Sequence, residues 1–191
     1  MVVGITGSIA SGKSLVTTYL INKGYKVIDS DKISHEVLFI NEVKQRLINQ
    51  FGSTIITNNE INRKELGFIV FNDNNKKEQL QNIVFPYILE EIKKQISKNK
   101  GLIFLDAPLL IEYNIMYLVD KIIVVKANKE VQIKRLMDRD NISYEYAIKK
   151  IESQLPIEEK EKYANYIIDN SSDINNTYNQ IENILKQMED L

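Results

Sequence analysis

Gly7-Ser8-Ile9-Ala10-Ser11-Gly12-Lys13-Ser14 constrains this chain more than any other stretch. It reads G-x-x-x-x-G-K-[ST], a pattern whose backbone cradles phosphate. An apolar run, Val2-Val3-Gly4-Ile5-Thr6, precedes it and suits a buried parallel strand. Apolar residues at Leu15, Val16, Tyr19 and Leu20 follow it at helical spacing. Strand, glycine loop and helix form the context that the motif requires. The glycines let successive N–H groups turn toward one anion, and the helix start adds partial positive charge. Lys13 supplies a full charge to the phosphates, and the Ser14 hydroxyl suits Mg²⁺.

The same period analysis predicts four more strands: Lys26–Asp29, Leu102–Asp106, Ile122–Val125 and Tyr166–Asp169. Unbroken apolar runs, rather than alternating ones, belong to strands covered on both faces. The expected fold is therefore α/β: a doubly wound, five-stranded parallel sheet with ligands beyond its carboxyl edge. Residues 1–191 are read as one domain. The stretch from about 31 to 100 exceeds one crossover helix and reads as helical over 36–51, 63–71 and 76–98. It is expected to form an acceptor-binding subdomain. Residues 139–163 read as a lid, and 174–189 as a closing amphipathic helix. The Asn-rich stretches Asn72–Asn75 and Asn175-Asn176 read as turns or caps.

Composition closes off other classes. A net charge of −1 argues against nucleic-acid binding, and the absence of cysteine excludes disulfides and thiolate chemistry. No run is long and apolar enough for a membrane span. The chain enters its first strand at Val2, so no signal peptide and a cytoplasmic location are expected. No protein partner is implied. Among 25 basic residues only Arg46, Arg63, Arg135 and Arg139 are arginine, so each marks a candidate for bidentate recognition.

Three acids lie where strand ends should meet ligand. Asp29 and Asp31 follow the second strand, and either is placed to take a proton from an acceptor hydroxyl, unless Asp31 merely caps the next helix. Asp106 ends the third strand and suits a magnesium-holding acid. Arg135 and Arg139 share a helix face and suit charge stabilisation; the alternative is a solvated face paired with Asp138 and Asp140. His35 is the only histidine, which argues against zinc.

Several blocks in order give the chain a wider resemblance. Gly4 to Ser14, Ile28-Asp29-Ser30-Asp31, Ile61 to Gly67, Asp106-Ala107-Pro108-Leu109-Leu110-Ile111-Glu112, Gln132 to Asp140, Ser153-Gln154 and Ile168 to Ser171 together resemble the dephospho-coenzyme A kinase family. That resemblance implies ATP-dependent, Mg²⁺-assisted phosphorylation of the ribose 3′-hydroxyl of dephospho-coenzyme A. It implies catalytic roles for Asp31, Lys13 and Arg139. It assigns the nucleotide to Gly7, Ala10, Ser11, Gly12, Lys13, Ser14, Leu15, Arg139 and Asn170. It assigns the acceptor to Asp31, Arg63 and Leu109, and the metal to Ser14 and Asp106. The chain departs from the family pattern at His35, Phe85, Lys150, Asn165 and Ser172. The competing readings are a kinase acting on nucleoside monophosphates or another small molecule, and a nucleotide-dependent switch or binding protein.

Overall fold

A computed structural model describes residues 1–71 and 73–189 of the chain. They divide into two compact units, one made of Met1–Ile28 with the chain from Asn99 onward, the other of Asp29–Lys98.

The first unit holds the sheet. Its strands are β1 (Val2–Gly7), β2 (Lys26–Asp29, whose last residue belongs to the other unit), and those at Ile103–Asp106, Lys121–Lys126 and Tyr166–Asp169. In chain order the last three are β5, β6 and β7, because a two-residue hairpin, β3 (Ile56–Thr57) and β4 (Glu60–Ile61), intervenes. The sheet order is β2-β5-β1-β6-β7. β1 runs parallel to β5, with Val3 opposite Phe104, and parallel to β6, with Ile5 opposite Ile123. β6 runs parallel to β7. The five apolar runs are thus the five strands, and the doubly wound α/β expectation is met.

The apolar runs are continuous because both faces are covered: Gly4 lies against Leu110 and Val119 of the chain after β5 on one face, and helices lie on the other. α1 (Lys13–Asn22) buries Val16 and Leu20, and α9 (Ile174–Glu189) buries Ile181, Ile184, Leu185 and Met188. They join Val3, Ile5, Phe104, Val125 and Ile168 in one core. Each such side chain contributes about 1.5–3 kcal/mol through removal from water. Tyr19 stacks on Tyr178 with ring centroids 4.4 Å apart, and its hydroxyl donates to Glu182 at 2.5 Å. Asn165 stands where the family usually has Asp. Its Oδ1 accepts from the Ile122 N–H at 2.8 Å, and its own N–H donates to the Ile122 carbonyl at 2.9 Å. The position needs an acceptor oxygen, which either residue supplies.

Further helices of this unit are α6 (Lys129–Asp140), α7 (Tyr144–Glu152) and α8 (Ile157–Glu161). Ile133, Leu136 and Ala147 pack together and against Ile9 and Ala10.

The second unit is mainly helical, as expected, but its segments differ in detail. α2 (Ser30–Glu36) passes through a 3₁₀ turn into α3 (Asn41–Phe51), so the helix expected over 36–51 is interrupted. The hairpin β3–β4 was not expected; Asn58 and Asn59 turn it with positive φ, a conformation Asn tolerates. α4 (Arg63–Phe71) and α5 (Asn74–Ser97) follow. Val43, Leu47, Ile55 and Leu66 form this unit's own core.

The Asn72–Asn75 stretch does hold the cap of α5, at Asp73, whereas the reading of Asn175-Asn176 as a turn or cap is corrected. Asn74, Asn75, Asn175 and Asn176 lie within helices, and the caps are Asp residues. Asp73 accepts from Asn75 and Lys76, and Asp173 from Asn175 and Asn176. Asn72 lies outside the described residues.

Candidate active site

The phosphate loop joins β1 to α1, and its conformation depends on two glycines. Gly12 has φ +88°, a left-handed backbone, and a Cβ there would stand 1.9 Å from the Asn170 side-chain nitrogen. At Gly7 a Cβ would stand 2.2 Å from the Val125 carbonyl oxygen. Ala10 also takes a left-handed conformation, with φ 57°. The Ser11 N–H donates to the Ser8 carbonyl at 3.1 Å, closing the turn. Gly12 offers no side chain to cap α1, so the helix start is left to face an anion.

Buried polar groups hold the loop from behind. Asn170, 2% exposed, follows β7 and donates through Nδ2 to the Ser11 carbonyl at 2.8 Å, while its Oδ1 accepts from Thr177 at 2.9 Å. Arg135 on α6 donates to the Ala10 and Ser11 carbonyls at 3.4 and 3.3 Å and to the Asn170 carbonyl at 3.0 Å. Gln132, one turn earlier, donates to the Ser8 hydroxyl. Gln154, beyond α7, accepts from the Ile9 N–H at 2.8 Å. Asn170 was expected beside the nucleotide; its amide is committed to the loop and to Thr177.

Lys13 opens α1, and its ammonium pairs with Asp106 at the end of β5. The two side chains are 17% and 12% exposed, so the pair keeps some access to solvent. Ser14 is exposed and Leu15 half-buried on the first turn. The hydroxyl of Ser14 and the carboxylate of Asp106 are both hard oxygen donors. That set fits Mg²⁺, which takes few protein ligands and completes its shell with water and phosphate. Leu109 is half-buried in the turn after β5, and its carbonyl accepts from the Tyr113 N–H at 3.0 Å.

The two α6 arginines part company. Arg135 grips the loop, whereas Arg139, in the last turn, points its fork at the neighbouring Asp140, Nε to Oδ1 at 2.7 Å and Nη2 to Oδ2 at 3.2 Å. Lys150 on α7 reaches the same carboxylate at 2.7 Å. Hydrogen bonds from Arg139 and then Lys150 hold the Asp140 carboxyl well below its ordinary range, and the same pairing raises Arg139. So Arg139 follows the ion-pair alternative in this conformation, and Arg135 does not.

In the second unit, Asp29 rather than Asp31 is the N-cap of α2. Its Oδ1 accepts from the Lys32 N–H at 3.0 Å. The reading of Asp31 as that cap is therefore corrected. Asp31 sits exposed in the first turn, where the helix dipole favours its negative charge. Arg63 opens α4 and donates to His35 Nε2 at 2.7 Å. A guanidinium has donors only, so the ring nitrogen accepts and the imidazole proton lies on Nδ1.

Residues that the sequence did not single out complete the site. Lys160 on α8 is fully buried, and Thr6 donates through Oγ1 to the Pro108 carbonyl at 2.9 Å.

A family model described as dephospho-CoA kinase matches residues 1–176. The chain belongs to that family. Among dephospho-CoA kinases, that of Fusobacterium nucleatum is 42% identical over 185 residues, covering 95% of each chain. That of Carboxydothermus hydrogenoformans is 42% identical over 192 residues, covering 97% of this chain and 93% of its own. A solved dephospho-CoA kinase structure from Campylobacter jejuni superposes with a TM-score of 0.75 at 32% identity, covering 98% and 96% of the two chains. As a dephospho-CoA kinase family member, the chain has a P-loop kinase fold with its phosphate loop intact.

Proposed function

We propose that this chain transfers the γ-phosphoryl group of ATP to the ribose 3′-hydroxyl of dephospho-coenzyme A, the final step of coenzyme A synthesis. The observation that carries the reading is the intact loop, sealed between Gly12 and Asn170 with Lys13 and Asp106 paired beside it, in a chain of this family.

Lys13 and the loop N–H groups hold the β- and γ-phosphates and stabilise charge that develops on the transferring group. Ser14 and Asp106 would hold Mg²⁺, which when bound neutralises phosphate charge. Phosphate competes with Asp106 for the Lys13 ammonium. Asp31 is the base that takes the hydroxyl proton. Arg63, oriented by His35, offers a planar fork to the acceptor. Leu109 supplies apolar contact. To act on the transferring group, Arg139 exchanges Asp140 for phosphate, and Lys150 remains to neutralise Asp140 as it does so. Residues 139–163 serve as the lid whose closure makes that exchange. ATP supply places the enzyme in the cytoplasm.

The test is kcat/KM at fixed Mg-ATP for dephospho-coenzyme A, AMP, dTMP and adenosine. Dephospho-coenzyme A is expected to lead by at least about 10²-fold, because its remote groups supply binding energy that adenosine lacks. A preference for AMP or dTMP, whose acceptor is a phosphate oxygen, would refute this reading and leave only a P-loop small-molecule kinase.

A further inference from the structure

Lys160 is a fully buried ammonium that none of these steps uses. Burying an isolated ammonium is strongly unfavourable unless it is paired and hydrogen-bonded. Three oxygens surround this one, two as hydrogen-bond acceptors and one as a counter-charge. Nζ donates to the Gly7 carbonyl at 3.2 Å and to the Pro108 carbonyl at 3.1 Å, and it lies 2.7 Å from Glu112 Oε1. The Glu112 contact is an ion pair without hydrogen-bond alignment, since neither buried carboxylate oxygen has a hydrogen-bond partner. That leaves charge attraction to hold the carboxylate and directional bonds to hold the two carbonyls.

Those carbonyls belong to different parts of the site. Gly7 ends β1 and begins the phosphate loop. Pro108 lies two residues beyond Asp106, in the turn that follows β5, whose last residue pairs with Lys13. The Pro108 carbonyl also accepts from Thr6, the residue before Gly7, so both of its lone pairs are used. On its other side Gly7 lies against the Val125 carbonyl. The loop's first residue is thus fixed from two directions, and Lys160 is the only one of these contacts made by a helix outside the sheet.

We propose that Lys160 is a positioning residue for phosphoryl transfer, its ammonium setting the separation between the start of the phosphate loop and the Asp106–Glu112 turn. The group that grips phosphate and the acid assigned to the metal are then held in register before substrate arrives. Displacements of about 1 Å at such a point cost on the order of 10²-fold in rate. This proposal rests on the kinase reading above.

The competing role is stability alone, with Lys160 present only to neutralise Glu112. Two variants separate them: Lys160→Met, and Lys160→Met combined with Glu112→Gln. The single variant leaves a buried carboxylate unpaired and should melt early. The double variant removes both charges with little change in volume and should recover most of the melting temperature. If Lys160 positions the loop, the double variant still shows kcat lowered about 10–10²-fold, with KM for dephospho-coenzyme A within about threefold of the parent chain. Recovery of both melting temperature and kcat in the double variant overturns the proposal. So does a loss of turnover that tracks loss of folded protein in both variants, or a parental kcat in folded Lys160→Met. The parent chain, assayed alongside, tests the kinase reading separately: if it does not phosphorylate dephospho-coenzyme A, that reading fails before either variant is compared.

Discussion

The phosphate loop and the start of α2 both carry charged groups, but they are held in opposite ways. Behind the loop lie Asn170 and Lys160, at 2% and 0% exposure, with Arg135 and Gln132 braced against its backbone. In the Asp29–Lys98 unit Asp31, His35 and Arg63 are all exposed. Their order comes from local devices: the Asp29 cap, the Asn62 cap at α4 and one Arg63–His35 bond. A loop that must offer several N–H groups to one anion has to be shaped before the ligand comes, and only buried contacts do that. The base proposed above needs charge and reach rather than a rigid frame, and Asp31 is an exposed carboxylate in the first turn of α2. Function and stability should therefore be coupled at the loop and separable at α2.

The largest effect expected is at Asp31. Asp31→Asn should lower kcat by about 10²–10⁴-fold with ATP affinity and melting temperature nearly unchanged. Steady-state kinetics and a thermal melt check this. Early melting with kcat retained would collapse the contrast and move the base to Asp29.

Gly12→Ala should break the loop in both respects. A methyl group there meets the Asn170 amide and must adopt a left-handed backbone. The expected loss is about 2–4 kcal/mol of stability, accompanied by lost turnover. A stable variant with parental kcat would show that the loop is not shaped in advance.

The smallest effect expected is at Asp140. Its carboxyl is held below its ordinary value by Arg139 and Lys150, so the pairing stabilises the fold at neutral pH. That contribution is complete above the unfolded value of about 3.9 and is lost as pH falls below it. The melting temperature of Asp140→Asn should thus lie below the parent's at pH 7, and the gap should narrow at pH 3. A gap that widens on acidification would contradict the assigned pairing.

How much of this was legible depended on whether a residue's environment leaves a periodic trace. β1, β5 and β6 were plain because burial on both faces makes an apolar run. The hairpin at Ile56–Ile61 was not, since two-residue strands have no period to detect. The loop motif located Lys13 and Ser14 outright. Spacing put Arg135 and Arg139 on one face but said nothing of which end meets a partner, and only the latter joins Asp140. Lys160 was hidden by its neighbours: Glu158-Glu159-Lys160-Glu161 reads as a solvated charge run, and its burial is set by tertiary contacts that no local pattern encodes.

The strand order has a consequence for biosynthesis. β1 is made before the other strands, yet it occupies the middle of the sheet, and its neighbours are β5 and β6, with Val3 opposite Phe104 and Lys121. The Asp29–Lys98 unit, by contrast, has a core drawn entirely from its own segment and can close while the rest is still being made. At about 5–20 residues per second, Val2-Val3-Gly4-Ile5-Thr6 waits on the order of ten seconds with neither flank covered. Nascent chains stalled before Ile103 would hold this apolar strand with neither of its sheet neighbours yet made.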